Sequence, residues 1–135
     1  MDILVALYIA NAVLLILHEM DSSYWKEWNL LKPPSGGARA GFDDLKALTV
    51  FLLLHIPLLF LVLYGLLRLQ EGTSTGLVLS LVLSGAGLFA FGLHMVFLKK
   101  GRPEFRAAIS IGILISTLVV SIAQLALTLV RLFAG

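Results

Sequence analysis

Four long apolar stretches run along the chain, separated by three shorter segments that hold most of its charge, proline and polar residues. A bilayer core about 30 Å thick takes about 20 residues of α-helix. Residues 46–67, 76–98 and 105–132 meet that length without interruption. The first stretch differs: its unbroken apolar part, 3–17, makes only about 22 Å of helix. A span over 3–25 must therefore draw His18, Glu19, Met20 and Asp21 into the membrane zone, with Tyr24, Trp25 and Trp28 at the water interface where amphipathic rings settle.

The connections support four helices. Pro33-Pro34-Ser35-Gly36-Gly37 cannot continue a helix, and Asp43 or Asp44 is placed to cap the second span by accepting its free amide hydrogens. Thr73, Ser74 and Thr75 offer the same cap to the third span, and Gly101 and Pro103 make a stop and restart before the fourth. Small residues recur every fourth position as Gly76, Ser80 and Ser84, and again as Ala108, Gly112 and Ser116. Both series predict faces where helix backbones approach closely. Gln124, on the outer half of the last span, is expected to make an interhelical hydrogen bond. Pro57 removes one backbone bond of the second span, two residues after His55.

Composition narrows the class. Of 135 residues, 59% are hydrophobic and 13% charged, with a mean hydropathy of +1.00. Soluble domains average about 45–50% apolar and about 25% charged. The expectation is one membrane domain over 1–135, all-α, a bundle of four transmembrane helices. A net charge of +2 argues against nucleic-acid binding, and the lack of cysteine excludes disulfides, thiolate metal sites and cysteine nucleophiles. No Lys or Arg precedes the first apolar run, so that run reads as a permanent span rather than a cleaved signal.

Charge also orients the bundle. Lys26, Lys32, Arg39 and Lys46 lie around the first connection, and Lys99, Lys100, Arg102 and Arg106 around the third; Arg68 and Arg131 fall on the other side. The positive-inside rule then places the two basic connections in the cytoplasm and both termini outside, in a multi-pass protein of the cell (inner) membrane.

On this topology the three histidines share the cytoplasmic half. His18 lies near the end of the first span, and His94 and His55 lie about 7 and 13 Å below the boundary marked by Lys99 and Lys46. Ionisable groups at bilayer depth are costly and mark functional sites by default. Glu19 is turned about 100° from His18 around the helix and so addresses a different neighbour. Three readings of His18, Glu19, Asp21, His55 and His94 stand open. As a metal centre, imidazoles from three helices with Glu19 or Asp21 make the nitrogen and oxygen ligand set of zinc or iron. As a metal-free site, the same residues carry protons or bind a small molecule, with Glu19 as the catalytic general base and Asp21 orienting its neighbours. As a structural feature, the histidines hydrogen-bond between helices, and Glu19 or Asp21 pairs with Lys26 or Arg106. His18-Glu19-Met20-Asp21 lacks the second histidine of the His-Glu-x-x-His zinc-protease motif.

The stretch from His18-Glu19 through Asp21, Tyr24-Trp25 and Glu27-Trp28, followed by a Pro-Gly-Gly-containing loop and a second span with His55 and Tyr64-Gly65, resembles a family of small four-span prokaryotic integral membrane proteins with that signature. The resemblance implies the membrane topology and singles out the same polar residues, and names no substrate. A looser similarity to membrane proteins with a His-x-x-Glu-Glu pattern ends at Asp21 and Ser22, which stand where the glutamates would be.

The function expected is therefore a cytoplasm-facing His/carboxylate site, metal-dependent and acting on a lipophilic substrate. The competing expectations are an accessory subunit of a larger membrane complex, and a metal-free proton or small-molecule binding protein. The partners expected are the lipid bilayer, that lipophilic substrate or complex, and further copies of the chain. A transporter is disfavoured because the outer halves of the second and third spans are almost wholly Leu, Val, Phe and Gly.

Overall fold

A computed structural model describes residues 2–29, 40–99 and 106–134. It contains four long helices: α1 (Ile3–Tyr24), α2 (Ala40–Gln70), α3 (Ser74–Lys99) and α4 (Ala108–Ala134), with a single 3-10 turn, Glu27–Asn29, after α1. Each of the four is long and apolar enough to cross a membrane. The chain is thus an all-α, four-helix membrane bundle. The Pro-Pro-Ser-Gly-Gly segment, Gly101, Pro103 and the cations Lys32, Arg39, Lys100 and Arg102 lie outside the described residues.

Two helix starts follow from capping chemistry. Asp2 accepts the Leu4 amide hydrogen at 2.8 Å and opens α1, and Thr73 Oγ1 accepts that of Gly76 at 3.2 Å and opens α3. The corner between α2 and α3 needs a left-handed residue, and Gly72 supplies it at φ 71°. The second span departs from expectation. Helix α2 already begins at Ala40, so Asp43 and Asp44 sit inside its first turns and do not cap it. The Asp44 carboxylate instead pairs with Lys26 at 2.8 Å.

Apolar packing of Leu4, Val5 and Leu83 between α1, α3 and α4 is joined by a chain of polar contacts. Asn11 donates to Gln124 Oε1 at 2.8 Å, and Ser121 donates to Asn11 Oδ1 at 3.3 Å. The Gln124 amide donates to Ser80, to the carbonyl at 3.1 Å and to Oγ at 2.9 Å. Ser80 and Thr128 hydroxyls meet at 2.8 Å, and Thr128 passes its hydrogen to the Gln124 carbonyl at 2.7 Å. Asn11, Ser80, Ser121, Gln124 and Thr128 are all buried. In hydrocarbon, apolar contact gives helices little reason to associate because lipid tails are as apolar as leucine, so satisfied polar bonds and small-residue packing hold the spans together.

The small-residue faces divide. Gly76, Ser80, Ser84 and Gly87 of α3 are buried as expected. On α4 the interior stripe is Ser110, Leu114, Thr117, Ser121, Gln124 and Thr128, whereas Ala108, Gly112 and Ser116 are exposed. The expected α4 seam is therefore on the wrong side of that helix: the hydrogen bonds of Gln124 and Thr128 set its rotation. A Cβ at Gly76 would collide with the backbone of Arg68 and Leu69, so α2 and α3 pass there at glycine-only range.

Helix α2 is held most lightly. Only 11% of its apolar stretch is buried, against 28% in each of the other three. One polar tie to α1 is Tyr8, whose hydroxyl donates to the Val62 carbonyl at 2.9 Å. At the same end of α1, Asp2 accepts from Arg131 at 2.6 Å, which ties the start of α1 to the last turn of α4. That guanidinium holds the Asp2 carboxyl below its usual range.

Three outcomes are expected. Gln124→Leu strands the Asn11 amide and lowers stability by about 1–3 kcal/mol, read by reversible unfolding in mixed micelles. Gly76→Ala destabilises by the same readout, whereas Gly85→Ala, whose Cβ meets nothing within 4 Å, is neutral or slightly stabilising. The depressed Asp2 group stabilises the fold at pH above the ordinary carboxylate value and loses that contribution as pH falls through its lowered one. Asp2→Asn should accordingly flatten the acid limb of the melting profile.

Candidate metal centre

The turn that follows α1 builds the site. Lys26 adopts the left-handed conformation, φ 54°, and folds the chain back so that Glu27 starts the 3-10 turn beside the bundle. Trp25 packs with Phe97 of α3, and the Trp28 ring lies 5.6 Å from that of Phe51 on α2, which seats the turn between two helices.

His18 and His94 meet there. Both are buried, and their rings stand edge to face with centroids 4.7 Å apart. Glu27 completes the group: one ligand atom from each of His18, Glu27 and His94 lies within 4.8 Å of the other two. This is a His/His/Glu cluster able to hold a metal ion. The hydrogen bonds orient it. His94 Nδ1 lies 2.8 Å from the Ala90 carbonyl, which can only accept, so Nδ1 carries a hydrogen and Nε2 is turned toward Glu27. The Nε2 atom is 3.6 Å from Glu27 Oε1. A neutral His94 would offer Nε2 as a ligand here, and ligands bound to zinc at about 2.0–2.2 Å lie about 3.3–3.5 Å apart in tetrahedral geometry. Fixing the remote ring nitrogen on a carbonyl is the usual way a ligating histidine is held in its binding tautomer.

Glu19 and His55 form a second unit. The phase change of one residue turns Glu19 toward α2, where its Oε2 lies 2.7 Å from His55 Nε2. His55 Nδ1 bonds the Phe51 carbonyl, again an obligate acceptor, so Nδ1 is protonated. The short contact at Nε2 then requires one further hydrogen, shared between imidazole and carboxylate. Both side chains are about one-fifth exposed, at 19% and 21%. Asp21 is placed elsewhere: its Oδ1 accepts from Ser110 of α4 at 3.0 Å. Of the five residues singled out in the sequence, the fold thus brings His18 to His94, pairs Glu19 with His55, and gives Asp21 to α4.

Glu27 had been marked only by its place in the His-Glu to Glu-Trp signature. Its distance along the chain from His18 hides the turn at Lys26 that returns it. Below the cluster an apolar cavity of ≈ 760 Å³ opens between α1, α2 and α3. His18, Glu19, Glu27 and His94 all reach it. Two buried groups nearby, Ser22 Oγ and Trp28 Nε1, have no hydrogen-bond partner among the described residues.

Residues 4–131 match the sequence model of a family of unknown function, DUF6713, and the chain belongs to that family. No curated protein and no solved structure matches it.

If the left-handed turn at Lys26 positions Glu27, then Lys26→Gly should keep metal affinity close to that of the unaltered protein, losing only the largely exposed pair with Asp44. Lys26→Val, which cannot adopt that conformation without about 1–2 kcal/mol of strain, should weaken it. Isothermal titration with zinc compares the two.

Proposed function

We propose that this DUF6713 protein is a membrane-embedded, metal-dependent enzyme in which His18, Glu27 and His94 hold one zinc or iron ion and Glu19 with His55 moves a proton beside it. The observation that carries the reading is the convergence of His18, Glu27 and His94, with one ligand atom from each within 4.8 Å of the other two and His94 Nε2 3.6 Å from the Glu27 carboxylate. Two histidines and one carboxylate are a ligand set shared by catalytic zinc and non-haem iron, and they leave coordination positions open for water or substrate. A bound ion would polarise that water or a substrate oxygen. The Glu19–His55 pair, with one hydrogen to share, supplies the base and then the acid. Asp21, held by Ser110, orients the last turns of α1.

A lipophilic substrate suits the setting, because the cavity under the cluster is walled by apolar side chains of three membrane helices. The cation-rich connections adjoin the same end of the bundle, which supports a cytoplasm-facing site in the inner membrane, with both termini outside and residues 1–135 acting as one domain. A second reading, a metal-free proton carrier, draws on the same Glu19–His55 pair.

Protein purified without an affinity tag should hold one equivalent of zinc or iron by elemental analysis. His94→Ala and Glu27→Gln should each lower metal affinity by more than about 100-fold, the upper end of what loss of an outer-sphere partner costs. Glu19→Gln and His55→Ala should retain the ion. Metal-free native protein would overturn the metal centre, and loss of the ion in His55→Ala would move the ligand set toward α2.

A further inference from the structure

The cavity has a polar end and an apolar end. Glu27, Trp28, Lys46 and His94 line the first, and Tyr8, Val62 and Leu79 reach the second. From His94 to Leu79 along α3 is about 22 Å. An extended acyl chain advances about 1.3 Å per carbon, from single bonds of about 1.5 Å, so that length takes about sixteen to eighteen carbons. The volume, ≈ 760 Å³, is that of a site for one ligand rather than for a two-tailed phospholipid and its headgroup. Val82 and Phe89, which line the wall, are 58% and 70% exposed, so the cavity opens sideways where lipid would lie.

We propose that this cavity binds the tail of a single-chain acyl amphiphile, of the fatty-acid type, and presents its head oxygens to Trp28, Lys46 and the metal cluster. This rests on the metal-centre reading for the fate of the head, but not for the seating of the tail. The head chemistry follows from the donors. The Trp28 indole N–H is buried without a partner among the described residues, and a buried donor left unmade costs about 1–3 kcal/mol. A carboxylate or ester oxygen satisfies it. Lys46 lines the same end, with Glu19 against His55 and Glu27 against His94. The tail meets only carbon for most of its length, with Tyr8, its hydroxyl committed to Val62, at the closed end.

A palmitate analogue with a photoreactive group at the chain terminus, applied to the protein in phosphatidylcholine nanodiscs, reads the seating directly. Adducts are expected around Tyr8, Val62 and Leu79, and excess unlabelled palmitate should suppress them although phosphatidylcholine is already in large excess. Ala86→Trp, which fills the middle of the cavity, should reduce that labelling about tenfold, as loss of a few methylene contacts does, with metal content unchanged. Should that variant not fold, competition in the unaltered protein decides alone. Adducts spread over the outward residues Leu52, Ile56 and Leu63 and indifferent to palmitate would overturn the proposal, as would competition by an isoprenoid alcohol but not by palmitate. Metal is measured on the same samples. Competed labelling in metal-free protein keeps the acyl site and removes the centre, and stoichiometric metal without competed labelling does the reverse.

Discussion

Everything in this bundle depends on what can hold helices together in a solvent as apolar as their own side chains. Burial of leucine earns little there, so association falls to small residues and to hydrogen bonds that have no competitor. The chain meets the requirement with one closed network: Asn11 on α1, Ser80 on α3, and Ser121, Gln124 and Thr128 on α4 bond one another with every amide oriented by its neighbours. Those three helices form a tight unit. Helix α2 contributes no side chain to the network and meets the unit through the Tyr8–Val62 bond, the Glu19–His55 and Lys26–Asp44 pairs and the close approach at Gly76. The space left between a lightly held helix and a tight trio is the cavity.

The polar cluster sits at the head of that space for a related reason. Adjacent residues on a helix point about 100° apart, so His18 and Glu19 cannot serve one neighbour. His18 joins α3 through His94, and Glu19 crosses to α2 through His55. One pair of sequence neighbours thereby creates two chemically distinct units side by side, one suited to a cation and one to a proton. In each, an i−4 carbonyl holds the remote nitrogen of a histidine, Ala90 for His94 and Phe51 for His55, so both rings have a defined tautomer at Nδ1 and aim Nε2 at a carboxylate.

Much of this was legible before any coordinates. The four spans follow from run length against bilayer thickness, the Thr73 cap from hydroxyl chemistry, and the partnership of Gln124 from the cost of an amide in hydrocarbon. The 100° turn between His18 and Glu19 is a property of any helix. Other features resisted. Asp43 and Asp44 look like caps because nothing in the sequence marks Ala40 as the first helical residue. On α4, Ala108, Gly112 and Ser116 repeat as regularly as the residues that are buried, and period alone cannot choose between two polar or small stripes on one helix.

Spacing, hydropathy and residue chemistry thus determined that the chain is a membrane bundle, how many helices it has, and that histidine and carboxylate side chains gather near one end. Partner choice was a tertiary matter. Which imidazole faces which carboxylate depends on the rotation of each helix about its axis, and that rotation is set by hydrogen bonds between residues over a hundred positions apart in the chain, Asn11 with Gln124 among them. The entry of Glu27 depends on a single left-handed residue, Lys26, whose conformation no local propensity favours. Helical periodicity is a local law and can be read along a sequence; the angle between helices is a balance of contacts that exist only once all of them are in place.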